Sequence, residues 1–216
     1  METGLKEKLF LFCINQEKGT IRQRQNLSTL LFYASLLELA RKGLLKIEDG
    51  RWYFQQQDTG DPVLNEVIRI LIPRDGQKTA WVLGRTPFQT TRLFARQVEW
   101  MKATKLIQVR EVTFMGLKLG YRFRISKPDQ MKPDLLKFER VLIYGRPPEL
   151  DTHLLIILFG ISEQIKHLFP SSENKRRAQE RYKELSKLPP EENPEAYALI
   201  FKKLQEALRA KRAARS

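Results

Sequence analysis

The residue types that most often carry nucleophilic or metal chemistry are scarce in this chain. It has two histidines, His153 and His167, and one cysteine, Cys13. The histidines stand near opposite ends of DTHLLIILFGISEQIKHLF, which reads as one helix and holds them too far apart to share a metal. Cys13 lies in the apolar run LFLFCI and reads as a small core residue rather than a nucleophile. No HExxH and no GxSxG occurs, and Gly116 and Gly120 in GLKLG make neither a dinucleotide fingerprint nor a P-loop. Glu191 and Glu192, in a proline-rich loop, read as solvated charges. The expectation is a protein that is not an enzyme and has no cofactor and no metal.

Positive charge, by contrast, is abundant. Thirty-nine lysines and arginines against 25 acids leave a formal charge of +14. Such an excess favours polyanionic partners: nucleic acid, an acidic membrane face or an acidic protein. Hydrophobic residues make up 42% of the 216, enough for burial to offset chain entropy. A single cysteine allows no intrachain disulfide and suits a reducing compartment. The start, METGLKEKLFLFCINQEKG, lacks the charged, apolar and small-residue zones of a signal peptide. The longest strongly apolar run, LLIILFGI at 154–161, is too short to span a bilayer. The protein is therefore expected in the cytoplasm, meeting any membrane only at its surface.

Elements must hold those charges in place. An apolar helical stretch over Leu5 to Asn15 is followed by the basic loop TIRQRQN. Asn26 suits the N-cap of a second helix, with Leu27, Leu30, Leu31 and Ala34 on one face and Gly43 as its stop. Asp49-Gly50 then suits a type I′ hairpin turn, with Leu45, Ile47, Trp52 and Phe54 toward one face and Glu48 opposite Arg51. Asp61-Pro62 marks the clearest helix start, with Leu64, Val67, Ile68 and Leu71 as its buried stripe. A helix near Thr90 to Thr104, the strand KLIQVREV, a turn region TFMGLKLG and the strand YRFRI repeat the helix–hairpin unit.

From Lys127 the chain reads as helices: Pro133 to Tyr144, a central apolar helix capped by Asp151, the polar SSENKRRAQERYKELSK, and a last helix after Asn193-Pro194 whose basic end frays. The fold class predicted is mainly α: a single compact domain over 1–216 around a hydrophobic core helix at 151–169, with two small β-hairpins. Two helix–hairpin units fill 1–126, and the rest is helical.

This order of parts resembles the Golgi phosphoprotein 3 family. The likeness is carried by KEKLFLFCINQEKG, LLELARKGLLKIEDG, RPPELDTHLLIILFGISEQIKHLF and KRRAQERYKEL. Within TGDPVLNEVI, residues Thr59, Gly60, Asp61, Leu64 and Glu66 match the family's TGD-x-x-L-x-E signature. The resemblance implies peripheral membrane binding through the headgroup of phosphatidylinositol 4-phosphate. In eukaryotic members a tryptophan, an arginine at the start of the second helix and a later arginine pair form the pocket. Here the tryptophan position falls near Ile21 and the first arginine near Leu30, while the pair falls close to Arg92 and Arg96. Arg92 and Arg96 are four apart and would share a helix face, and Arg22 and Arg24 in the nearby loop supply replacement charge. Arginine forks suit phosphate oxygens better than lysines do.

The functional expectation is reversible docking on an anionic lipid surface, phosphoinositide or otherwise, through Arg92, Arg96, Arg22 and Arg24. Phe88 in RTPFQTT and Met115 in TFMGL are candidate apolar contacts with the membrane. Tandem winged-helix binding of nucleic acid is the alternative, although the helix LSTLLFYASLLELARKG is too apolar to read a groove. A basic protein-interaction scaffold is the third reading.

Overall fold

The computed structural model describes residues 3–84, 92–114, 117–188 and 194–213. Phe88 and Met115 lie outside the described residues. At its centre is α7 (Leu150–Ile161), a helix whose sides are almost wholly apolar, LDTHLLIILFGI, and are buried from Thr152 to Phe159. A helix without a polar face must be enclosed. Around it pack α1 (Leu5–Cys13), α2 (Arg24–Arg41), α6 (Lys132–Leu142), α8 (Ser172–Leu185) and α9 (Pro194–Ala213). The fully buried Leu9, Phe10, Leu30, Leu31, Leu154, Phe159 and Ile200 belong to one contiguous core. Each such side chain contributes about 1.5–3 kcal/mol by leaving water.

The central helix is shorter than its apolar pattern suggested. It stops at Ile161, because Glu163 takes a left-handed φ of 59°. The N–H of Glu163 donates to the Gly160 carbonyl at 3.0 Å and that of Gln164 to the Phe159 carbonyl at 2.7 Å. This pair of bonds closes the helix as a Schellman stop without glycine. A short 3₁₀ turn, Ile165–His167, follows, so His153 and His167 do not share one helix. Asp151 is not the cap either. Glu149 holds that position, and Asp151, in the first turn, pairs with Arg41 at 3.3 Å.

The first hairpin forms as its turn chemistry requires. β3 (Leu45–Glu48) and β4 (Arg51–Phe54) pair Leu45 with Phe54 and Ile47 with Trp52, and Asp49 and Gly50 both take positive φ, 51° and 70°. Glu48 and Arg51 are opposite in register, but Arg51 Nη1 donates to the Gly76 carbonyl at 2.9 Å. That bond reflects a third strand, β5 (Gln77–Lys78), which lies along β4 and leads into the short α4 (Thr79–Gly84). Trp52 Nε1 donates to Thr79 Oγ1 at 2.9 Å, which lets a buried indole satisfy its N–H.

The second unit is α5 (Leu93–Ala103) followed by β6 (Ile107–Phe114) and β7 (Leu117–Ile125). Its strands are longer than the sequence pattern implied and run through most of the expected turn region. Both units leave their helix by the same device: Gly43 (φ 71°) after α2 and Lys105 (φ 57°) after α5, each two residues before a strand. A small third hairpin, β1 (Ile14–Asn15) with β2 (Thr20–Ile21), fills part of the expected loop. It hands the chain to α2 through Gln23 in a left-handed conformation (φ 50°), so Asn26 sits buried inside the helix rather than at its cap. Nor is the tail of α9 free: Lys211 Nζ donates to Thr29 Oγ1, and Arg212 pairs with Glu163 at 2.5 Å.

Candidate functional site: an arginine face on α3 and α5

The family-like signature begins with a local network. Gly60 takes φ 69°, and the Gly60 N–H donates to Asp58 Oδ1 at 2.9 Å. Asp61 then opens α3 (Pro62–Leu71): its Oδ1 accepts from the N–H groups of Val63 at 2.8 Å and Leu64 at 3.1 Å. Those bonds satisfy helix-end donors that have no carbonyl partner. The other oxygen, Oδ2, accepts from Lys6 Nζ, a fully buried ammonium that also pairs with Glu7 at 2.7 Å and Glu38 at 3.7 Å. Burial alone would push the Lys6 ammonium down, but the three carboxylates outweigh it and hold its pKa above the ordinary value. Thr-Gly-Asp is thus a turn, a cap and an ion pair that ties α3 to α1.

Glu66, one turn further along α3, gathers arginines. Arg69 grips it with both forks, Nε to Oε2 at 3.0 Å and Nη2 to Oε1 at 2.7 Å. From α5, Arg96 Nη2 comes within 3.5 Å of Oε2. The Glu66 side chain is 7% exposed, whereas Arg69 is 69% and Arg96 45% exposed. Hydrogen bonds from Arg69 hold the Glu66 carboxyl below its usual range; burial opposes this, and the charges of Arg96, Arg69 and Arg92 reinforce it. Arg92 stands exposed at the N-cap of α5, where no side chain caps the helix. Two guanidinium groups therefore contact one carboxylate, and the charge of a third, Arg92, acts on it. Each carries five N–H donors, so most remain for water or an anion.

Of the predicted pair, Arg96 contacts Glu66 directly, and Arg92, exposed at the N-cap of α5, acts on that carboxyl through its charge. Arg24 and Arg22 do not join them. Arg24 is the first residue of α2, not part of a loop, and lies 5.2 Å above the ring of Phe94. Phe94 is two residues from both Arg92 and Arg96, so it faces the opposite flank of α5. There it packs on Phe10 and Phe123 with ring centres 5.9 and 6.4 Å apart. Arg22 is elsewhere again: its Nη1 reaches the Phe12 carbonyl at 3.4 Å, beside a cavity of about 340 Å³ that His167 also lines. Burial lowers the His167 pKa, and the charges of Arg22, Lys166 and Lys175 add to that.

Two features escaped the sequence reading. Arg69 is one, because its contribution depends on α3 packing against α5. The other is the outer face of the second hairpin. Register places Arg110 opposite Arg122 and Gln108 opposite Arg124 on one face, with Leu117, 69% exposed, toward the free end. Like charges directly opposite one another oppose pairing. Alternation of Arg, Arg and Leu in LKLGYRFRI was the available signal.

The family model for Golgi phosphoprotein 3 (GPP34) matches residues 5–209 of the 216. The chain belongs to the Golgi phosphoprotein 3 family. A comparison with curated proteins found no match. For this Golgi phosphoprotein 3 member, the geometry gives the signature residues distinct tasks: Thr59, Gly60 and Asp61 build the start of α3, Leu64 is buried, and Glu66 anchors the arginines. Among the described residues no helix is long and apolar enough to cross a membrane, and no cluster of His, Cys, Asp or Glu has the arrangement of a metal site.

Proposed function

We propose that this protein docks reversibly on anionic membrane surfaces, with a phosphorylated inositol-lipid headgroup as the favoured ligand. The observation that carries the reading is the contact of Arg69 and Arg96 with the single carboxylate of Glu66, on which the charge of Arg92 also acts. That grouping has a net charge of about +2 and guanidinium forks suited to phosphate oxygens. Family membership supports the same reading. Each basic residue near an acidic leaflet contributes about 1 kcal/mol, so the arginine face alone gives weak, reversible attachment. The hairpin's Arg110, Arg122, Arg124 and exposed Leu117 offer a second contact.

Flotation of the purified chain tests this with three vesicle types: neutral, generically anionic, and containing phosphatidylinositol 4-phosphate. Recovery should rise in that order. Equal recovery on all three would end the membrane reading.

The basic hairpin also favours a second reading, in which α5 and its hairpin act as helix and wing on nucleic acid. Duplex DNA binding would then weaken with salt at a slope of about −0.9 per phosphate neutralised. Loss of that binding in Arg110→Ala/Arg124→Ala, with vesicle recovery unchanged, would favour this reading. Undetectable DNA binding at low salt would retire it.

A further inference from the structure

A second basic site lies away from α3 and α5. The end of α6 and the start of α7 enclose a surface cavity of about 1050 Å³, and Lys137, Arg140, Val141 and Tyr144 form one wall. Lys137, Arg140 and Val141 share one face of α6, and Tyr144 follows in the turn beyond its end. Gly145, at φ 70°, turns the chain, and Arg146 and Pro147 continue the rim to Glu149 and the buried Thr152.

The charges here are unequally matched. Lys137 Nζ donates to Glu149 at 2.6 Å, which neutralises both. Arg140 and Arg146 are exposed, and neither has an acidic partner among the described residues. The Arg146 N–H donates to the Arg140 carbonyl at 3.0 Å, which holds the two backbones together, and both residues line the cavity. A third arginine, Arg181 of α8, reaches the Gly145 carbonyl at 3.5 Å and braces the turn from behind. Two like charges lining one cavity repel each other, and an anion bound there would offset that repulsion. Tyr144, exposed, and Pro147 add apolar wall beside them.

We infer that this cavity binds a phosphomonoester carried on a ring-bearing molecule. Arg140 and Arg146 take the phosphate oxygens, and Tyr144 flanks the ring. Paired guanidinium forks favour phosphate over a carboxylate, which offers only two oxygens. The cavity is far larger than a free phosphate needs, and it stands at the upper end of the usual range for small-molecule sites. The phosphate has two sources, a soluble sugar phosphate or a lipid headgroup. This inference is independent of the arginine face on α3 and α5.

Calorimetric titration of the full chain with a hexose monophosphate, and separately with inorganic phosphate, tests it. Saturable binding is expected, tighter for the hexose phosphate. Arg140→Ala/Arg146→Ala should weaken it at least about tenfold, while Arg92→Ala/Arg96→Ala should not. Arg140→Lys/Arg146→Lys keeps the charge and removes the forks; it should also weaken binding, and it serves if the alanine pair fails to fold. Flotation of the same variants on phosphatidylinositol 4-phosphate vesicles assigns the source: lost recovery indicates the lipid headgroup, unchanged recovery a soluble phosphate. Absence of saturable binding to both soluble probes, with unchanged flotation, would overturn the inference. Equal binding by wild type and the folded variants would do so too.

Discussion

Glu66 and Arg96 meet across the seam between α3 and α5, Nη2 lying 3.5 Å from Oε2. Since Arg69 already engages both oxygens of that carboxylate, Arg96 is held loosely and stays open to exchange. In the proposed docking, an incoming phosphate competes with Glu66 for the same guanidinium groups. Glu66→Gln removes the competitor and one negative charge. Recovery on anionic vesicles should increase, with a steeper dependence on salt. Reduced recovery would mean that Glu66 chiefly orients the arginines.

Glu66 also has a pH signature. Its carboxyl is held below the usual range, so it binds protons less readily folded than unfolded. Its contribution to stability is complete above the ordinary carboxylate pKa and is lost as pH falls through the lower folded value. Denaturant midpoints measured across that acidic window should fall less steeply for Glu66→Gln than for wild type. Identical slopes would contradict the ion-pair geometry.

Lys6 is the most exacting charge in the fold. With Glu7, Glu38 and Asp61 around a fully buried ammonium, Lys6→Met leaves three acids without their cation. Breaking such a cluster costs about 3–5 kcal/mol. Asp61→Asn keeps the cap on α3 but loses the charge, and so should cost less than Asp61→Ala. Urea unfolding of the three variants would rank them, and near-equal midpoints would remove the case for the signature as a structural tie.

Gly160 sits where α7 meets α8. An added Cβ would run into the ring of Tyr182. Gly160→Ala should therefore destabilise by about 1–3 kcal/mol or more, and shortening Tyr182 to Leu in the same chain should recover part of that. Thermal melts of the single and double variants would show it. Additive losses would place the two residues out of contact.

Much of the fold was legible from local chemistry. Asp49-Gly50, Gly43 and Asp61-Pro62 each act through their own backbone preferences, and the structure uses them as read. The apolar run of α7 announced a central helix, but not its end, because Glu163 in a left-handed turn carries no glycine to signal it. The site was only half legible. Arg92 and Arg96 are one helical turn apart and could be paired on paper. Arg69 and Glu66 join them through the packing of α3 on α5, which no spacing reveals. Arg22 and Arg24, near each other in sequence, diverge because α2 begins between them.

Cys13 offers a clean probe of the whole core. Burial pushes its thiol up to about 12, and it has no exposed surface. Labelling by a thiol reagent at neutral pH should be slow in the folded protein and rapid once urea unfolds it. Fast labelling of the folded chain would show that α1 opens independently of the rest.

Arg69→Ala/Arg92→Ala/Arg96→Ala, floated with vesicles containing phosphatidylinositol 4-phosphate at fixed salt, tests the central proposal most directly. The three charges removed should lower recovery close to the level seen on neutral vesicles, with the variant still folded by circular dichroism. Recovery equal to wild type would place membrane binding on another surface and contradict the account.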